Sequence, residues 1–211
     1  MNRNIFFDLD GTLIDSRLRL YLLFCEITLQ KKLNFDDYWK LKRNKNDHKT
    51  ILMNCFGYSE NDCSDFEHKW LSLIEDKKYL YYDKPFFYTK EVLSKLKQRD
   101  IELYIVTARQ NKKNAVDQIL NFNLNPFFED ILVTERRKSK LDLLKESISF
   151  SKEDILIGDT GLDVITAKAL GIKSIAVLSG FRNKITLAEY KPDFIVNDIR
   201  FLIDYVTNTK E

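Results

Sequence analysis

The sequence lacks most of the features that would tie it to a specialised environment. Its three cysteines, Cys25, Cys55 and Cys63, are an odd number without metal-ligand spacing, so neither a disulfide framework nor a cysteine-based zinc site is expected. Packed or idle thiols in a reducing compartment fit them better. Neither sign of charge dominates: 34 Lys and Arg against 32 Asp and Glu leave +2, which argues against a dedicated nucleic-acid binder. No apolar run approaches the roughly 18 residues of a membrane span. The most tempting stretch, residues 20–25, is closed off by Arg19 and Glu26 and reads as a buried helix face. A secretory leader is not expected either, because the apolar run 5–7 meets Asp8 at once, and a cytoplasmic location follows.

What is present is a chain of 211 residues, enough for one large domain or a domain carrying a smaller insertion. Short apolar runs at residues 5–9, 102–106, 130–133, 154–157, 174–177 and 194–196 predict strands. Amphipathic stretches at 89–99, 112–121, 141–147 and 162–170 predict helices between the later ones. This alternation implies an α/β, Rossmann-like, three-layer core whose parallel sheet is covered on both faces. The rhythm breaks between residues 15 and 82, where no strand signal appears. Helical patterns occur there at 16–33, with Ser16 as N-cap, and at 62–74. The stretch is too long for a loop. An inserted α-helical cap domain is therefore expected at residues 15–83, within a core formed by 1–14 and 84–211. Glycine is scarce, only six, and Gly11, Gly158 and Gly161 fall at or just beyond predicted strand ends, where close approach to a ligand needs a bare backbone.

Polar functional residues gather at the same carboxyl ends, the edge where open parallel sheets bind ligands. Asp8 and Asp10 stand two apart, so on extended backbone their side chains point the same way. Paired carboxylates there call for a hard divalent cation, to which Asp159 and Asp163 would add oxygen ligands. Thr107 offers a hydroxyl at the end of the second predicted strand. Lys140 offers a cation to offset the surplus negative charge.

In order and spacing these segments resemble the haloacid-dehalogenase-like hydrolase superfamily, above all its phosphoglycolate-phosphatase-like branch. Asp8-Leu9-Asp10-Gly11-Thr12 resembles the first motif, Ile105-Val106-Thr107 the second and Lys140 on its helix the third. Ile157-Gly158-Asp159-Thr160-Gly161-Leu162-Asp163 resembles the fourth. The likeness covers residues 5–14 and about 85–202. The resemblance implies a Mg²⁺-dependent phosphatase in which Asp8 attacks phosphorus and becomes an aspartyl-phosphate. Asp10 then protonates the leaving oxygen and later activates water. It further implies that Asp8, Asp159 and the backbone carbonyl of Asp10 hold the metal, with Asp163 outside the direct ligands or acting through water. Thr107, the Ala108 N–H and Lys140 would hold the phosphoryl oxygens.

The chain also departs from the pattern. The family lysine is usually followed by proline, whereas Leu141 follows Lys140, so Lys138 is a rival; the offset from Leu143 and Leu144 favours Lys140. Arg109 stands where the family commonly has Asn nearby, and reads either as a contact to a substrate anion or as a solvated arginine at a helix start. Arg182 has the same two readings. In the insertion, the basic and aromatic stretch 38–49, with Trp39, Lys40, Lys42, Arg43, Lys45 and His48, either touches the non-phosphate end of the substrate or forms a solvated face over packed aromatics. His68 reads as structural. The hinges are expected at 14–16 and 82–85. The partner implied is a small phosphorylated metabolite: a phosphoglycolate-like acid, a sugar phosphate or a nucleoside monophosphate. No nucleic acid or membrane is expected, and the assembly is expected to be a monomer or homodimer. A sugar phosphomutase and a catalytically idle binding subunit are the alternatives.

Overall fold

The computed structural model describes residues 3–29, 32–99 and 101–208. The chain begins with β1 (Asn4–Phe7) and β2 (Ile14–Asp15), then runs through α1 (Arg17–Thr28), α2 (Phe35–Arg43), α3 (His48–Ile51) with a π-turn after it, α4 (Glu60–Leu73) and α5 (Lys77–Leu80). It returns through β3 (Lys84–Pro85), α6 (Thr89–Lys97), β4 (Glu102–Thr107), α7 (Lys112–Asn121), β5 (Asp130–Val133), α8 (Lys140–Ser147) and β6 (Ile155–Gly158). The chain ends with α9 (Gly161–Leu170), β7 (Lys173–Val177), α10 (Lys184–Ala188), β8 (Phe194–Val196) and α11 (Phe201–Asn208).

Six strands form one sheet in the order β5-β4-β1-β6-β7-β8, every pair parallel. Alternate residues of β1 explain the layers: Ile5 and Phe7 enter one apolar cluster and Phe6 the other, as a side-chain period of two requires. The first cluster takes Val92 and Leu96 of α6, Ile119 of α7 and Leu202 of α11; the second takes Leu144 of α8 and Ala167 of α9. The parallel α/β architecture expected from the sequence is thus observed. β1 lies between β4 and β6 and so delivers its carboxyl end to the middle of the sheet edge.

Between β2 and β3 the chain is helical, with its own apolar cluster built from Phe24, Tyr38, Trp39, Ile51, Leu52 and Phe66. Two short strands went unpredicted: β2 and β3 pair antiparallel, Ile14 with Pro85 and Asp15 with Lys84, joining the two ends of the insertion. Two residues each are too few for any periodic signal. α1 also stops before residue 33, because Leu29 adopts the left-handed conformation at φ 52; residues 30 and 31 of the predicted helix lie outside the described residues. Ser16 takes the N-cap position, but its hydroxyl makes no capping bond. The short helices α2, α3 and α5 were not predicted, although Asn34, Asp47 and Asp76 each accept a backbone N–H at their starts.

Candidate active site

Four strand ends and one helix start converge on a single crevice. Asp8 follows β1 directly, and its N–H continues the ladder by donating to the Ile157 carbonyl at 2.8 Å. Gly11 turns the chain back at φ 83, a conformation that side chains disfavour. Asp159, just past β6, is fully buried against this turn. A Cβ at Gly11 would lie 2.5 Å from Asp159 Oδ2, and one at Gly180 2.0 Å from it; both positions must be bare for the carboxylate to fit. The Phe181 N–H donates to Asp159 Oδ2, while Oδ1 is buried without a hydrogen-bond partner among the described residues.

Lys140 opens α8 and reaches across the crevice. Its Nζ donates to Asp8 Oδ1 and to Asp163 Oδ1, both at 2.6 Å. The other Asp163 oxygen accepts from the Thr160 N–H at 3.1 Å and hydroxyl at 2.6 Å, closing the capping box of α9. Lys138, the rival lysine, pairs instead with Glu146 at the surface. Thr107 is buried at the end of β4 and lines the crevice together with Ala108.

Asp8, Asp159 and Asp163 each bring an oxygen within 4.8 Å of the others. One lysine faces three carboxylates. Burial, against the pull of Lys140, pushes Asp8 up to about 7. Burial and then the charges of Asp8 and Asp163 drive Asp159 well above the usual carboxylate range. Lys140 is held above its ordinary value, because Asp163 and Asp8 outweigh the desolvation that would lower it. An all-oxygen set with surplus negative charge and an orphaned Asp159 Oδ1 fits a hard divalent cation such as Mg²⁺.

The Asp10 side chain turns to a different set of partners. Arg109 Nε donates to Asp10 Oδ2 at 2.5 Å and Arg109 Nη2 to Oδ1 at 2.8 Å, a bidentate fork. Arg19 of α1 also donates to Oδ1. Burial would raise this carboxyl, but Arg109 and Arg19 overcome it and hold Asp10 well below the usual range. Arg109 is therefore not a solvated arginine; its side chain is 3% exposed. Its burial follows from the β4–α7 connection, which turns it under the insertion rather than outward. Arg19 and Asp83 were not among the residues singled out from the sequence, since neither lies in a motif and only folding brings them to Asp10.

The insertion supplies the opposite wall of the crevice, which encloses about 540 Å³. That wall is mostly apolar: Leu20 from α1, Trp70 and Leu71 from α4, and Ile74 after it. None of the 38–49 stretch lines this crevice. Tyr38 and Trp39 are buried in the insertion's own cluster, and His48 lies against Trp70 with ring centroids 4.1 Å apart. Arg43 instead donates to the Leu178 carbonyl, and Arg182 to the Lys42 carbonyl, pinning the insertion to the loop after β7. His68 is exposed, so the packing role expected of it is absent.

Fold and site define a hydrolase class with aspartates on the edge of a parallel sheet and a helical insertion after the first of them. The sequence profile of the haloacid dehalogenase-like hydrolases matches residues 5–177, and the chain belongs to that family of enzymes. It is similar to the phosphoglycolate phosphatase of Aquifex aeolicus, 28% identical over 222 residues that cover 98% of this chain and 97% of that one. It is also similar to the pyrophosphatase PpaX of Halalkalibacterium halodurans, at 23% identity over 96% of this chain and 95% of that protein. Among solved structures, a haloacid dehalogenase-like family hydrolase from Streptococcus pneumoniae superposes with a TM-score of 0.79. The two are 25% identical, covering 97% of this chain and 98% of that one. No helix among the described residues is long and apolar enough to cross a membrane.

Proposed function

We propose that this protein is a Mg²⁺-dependent phosphatase that hydrolyses a small phosphomonoester through an aspartyl-phosphate on Asp8. The observation that carries this reading is the placement of Asp8: a nucleophile-bearing strand end in contact with Lys140 and beside Asp159. Lys140, Thr107 and the Ala108 N–H hold the phosphoryl oxygens, and one Asp8 oxygen bonds to phosphorus as the ester oxygen departs. Asp10 takes a proton from the water that opens the acyl phosphate, and to protonate the departing oxygen first it must be released from the Arg109 and Arg19 contacts that hold it ionised in the free protein. The side chains of Asp8 and Asp159 and the backbone carbonyl of Asp10 would hold Mg²⁺, whose charge neutralises the transferring group. Asp163 positions Lys140 and stands outside the direct ligands. Residues 15–83 act as a cap on a core of 1–14 and 84–211, hinged at the β2–β3 pair, that closes the crevice against water. The names of the similar proteins, a phosphatase and a pyrophosphatase, support phosphoryl transfer to water as the reaction.

The test is phosphate release from a panel of phosphorylated metabolites. Asp8→Asn is expected to lower turnover on the order of 10⁴-fold or more with the fold intact. EDTA is expected to stop the wild-type enzyme and Mg²⁺ to restore it. Substantial activity in Asp8→Asn, or indifference to chelation, would overturn the reading.

A further inference from the structure

The end of α4 is docked against the start of α7 by four hydrogen bonds, right beside the groups that face a phosphate. Glu75, two residues past α4, turns both carboxylate oxygens to backbone. Its Oε1 accepts the Gln110 N–H at 2.6 Å and its Oε2 the Asn111 N–H at 3.0 Å. Gln110 Nε2 donates to the Leu71 carbonyl at 3.1 Å, and Asn114 Nδ2 to the Glu75 carbonyl at 2.9 Å. The negative end of one helix, reinforced by a carboxylate, thus meets the positive end of another. The join also crosses from the insertion, which carries Glu75, to the β4–α7 connection of the core.

Residues 107–111 are therefore held from two sides. The core holds the first part: the Thr107 carbonyl accepts from the Thr134 N–H and the Arg109 carbonyl from the Glu135 N–H, both at 3.0 Å. Glu75 holds the last part, and no other acceptor for the Gln110 and Asn111 N–H groups is present among the described residues. Between the two grips lies Ala108, exposed at the crevice, whose N–H no protein group engages among the described residues. Nearby contacts of the insertion are ion pairs, Arg19 with Asp83 Oδ1 at 3.0 Å and Arg109 with Asp83 Oδ2 at 3.2 Å. Those fix side chains, whereas Glu75 fixes backbone. Its bonds are charge-assisted, roughly twice as strong as neutral ones.

We infer that Glu75 is a positioning residue: with the insertion seated, it sets the turn at 108–111 that aims the Ala108 N–H at a phosphoryl oxygen. The inference rests on the phosphatase reading above, in which that N–H holds the transferring group. Seating of the insertion and capture of the phosphate are then linked through one carboxylate. Linkage is reciprocal, so a phosphate held by the turn must tighten the grip of Glu75 by the same factor by which Glu75 tightens phosphate. This route is separate from recognition by the apolar wall. It acts on the phosphate and is blind to the rest of the substrate.

The experiment uses inorganic phosphate with Mg²⁺ present, reading its Kd by calorimetry and amide exchange at Gln110 and Asn111 by NMR. In the wild type, saturating phosphate is expected to slow exchange of both amides about tenfold. Glu75→Ala is expected to weaken phosphate about tenfold, near the low end for a hydrogen bond to a charged group, and to abolish the slowing. Its kcat/KM should fall by one common factor on phosphoglycolate and on p-nitrophenyl phosphate. Glu75→Gln keeps the size and offers one neutral acceptor; it should lose about threefold, and it carries the test if the alanine variant unfolds. Asn114→Ala removes the bond to the Glu75 carbonyl, leaves both grips on the turn, and should lose less than about twofold. Three results would overturn the inference while leaving Asp8 as nucleophile: wild-type amides that phosphate does not slow, unchanged phosphate binding in the folded Glu75 variants, or an equal loss in Asn114→Ala. A wild-type protein that neither binds phosphate nor hydrolyses either ester would overturn the phosphatase reading itself, and the positioning role with it.

Discussion

The two walls of the crevice are built by opposite rules. On the core side, each functional group comes from a different strand end or helix start, and close-range polar contacts place them: Lys140 between Asp8 and Asp163, and Asp159 between Gly11 and Gly180. On the insertion side, the groups that face the crevice come mainly from one face of α4 and the start of α1, and are mostly apolar. The core wall can hold a phosphoryl group and a cation but says little about what the phosphate is attached to. The insertion wall has no phosphoryl chemistry and a large surface for an organic group. Under the proposed function chemistry and selection are therefore separable, and substitutions on the two walls should fail in different kinetic constants.

Lys140 offers the largest contrast. Lys140→Ala is expected to lower kcat ~10²–10³-fold, as loss of a preorganised donor to a developing charge does. Lys138→Ala, which breaks an exposed pair with Glu146 at the rim of the crevice and leaves the Asp8 and Asp163 contacts of Lys140 in place, should change kcat less than about twofold. Steady-state kinetics on one phosphomonoester decides this, and similar losses for the two lysines would break the assignment of the core wall.

A smaller effect concerns the metal and acts on the core wall alone. The buried Asp8 carries its carboxyl up to about 7, above the ordinary 3.8. Between those values the folded protein binds more protons than the unfolded chain, so without metal its stability should fall as pH rises through that window. Mg²⁺ requires the ionised carboxylate, so its stabilisation should grow as pH rises through the same window. At a hundred times Kd the gain is about 2.7 kcal/mol, or roughly 5–10 °C in Tm, at pH 8. Thermal melts at pH 5.5 and 8 with and without Mg²⁺ test it. A shift of the same size at both pH values, or one retained in Asp159→Asn, would count against the carboxylate site.

The two walls also differed in how well the sequence exposed them. Asp8, Asp10, Thr107 and Asp159 could be read because each ends a short apolar strand, so a local pattern fixes both the residue and its place on the edge. Lys140 needed only the helix offset to separate it from Lys138. Arg109 was noticed but its direction was not legible, since a residue leaving a strand can turn out or in, and only the insertion above it explains why it turns in. Arg19 and Asp83 lie 64 residues apart and meet through the β2–β3 pair, which is too short to signal itself. The insertion left two readings open for a further reason. Its most conspicuous stretch, 38–49, is conspicuous because aromatics fill the insertion's own small core while Arg43 reaches the loop after β7 and Lys45 and Lys49 pair with surface glutamates. Composition does not say which face of a short helix is turned toward a crevice.

Trp70 gives the finest test of the insertion wall, because its neighbour Phe66 serves as a matched control. The two rings stack on α4 with centroids 5.7 Å apart, and both belong to the cluster around Phe24 and Tyr38. Only Trp70 also faces the crevice; Phe66 is buried. Replacing either by Leu keeps an apolar side chain and loses some packing, so both variants should melt earlier than the wild type. Their kinetics should part. Trp70→Leu is expected to raise KM about tenfold for an ester with a bulky organic group, ~1.4 kcal/mol of lost contact, with kcat changed little. For a short ester such as phosphoglycolate the rise should shrink to about twofold, because little of that substrate extends as far as α4. Phe66→Leu should leave both KM values where they are. If Phe66→Leu raises KM as Trp70→Leu does, the insertion acts on substrate through its overall seating, and the apolar face of α4 is not a recognition surface. If neither moves KM while the Lys140 contrast holds, selection lies on the core side after all, and the exposed Arg136 at the crevice mouth becomes the next residue to vary.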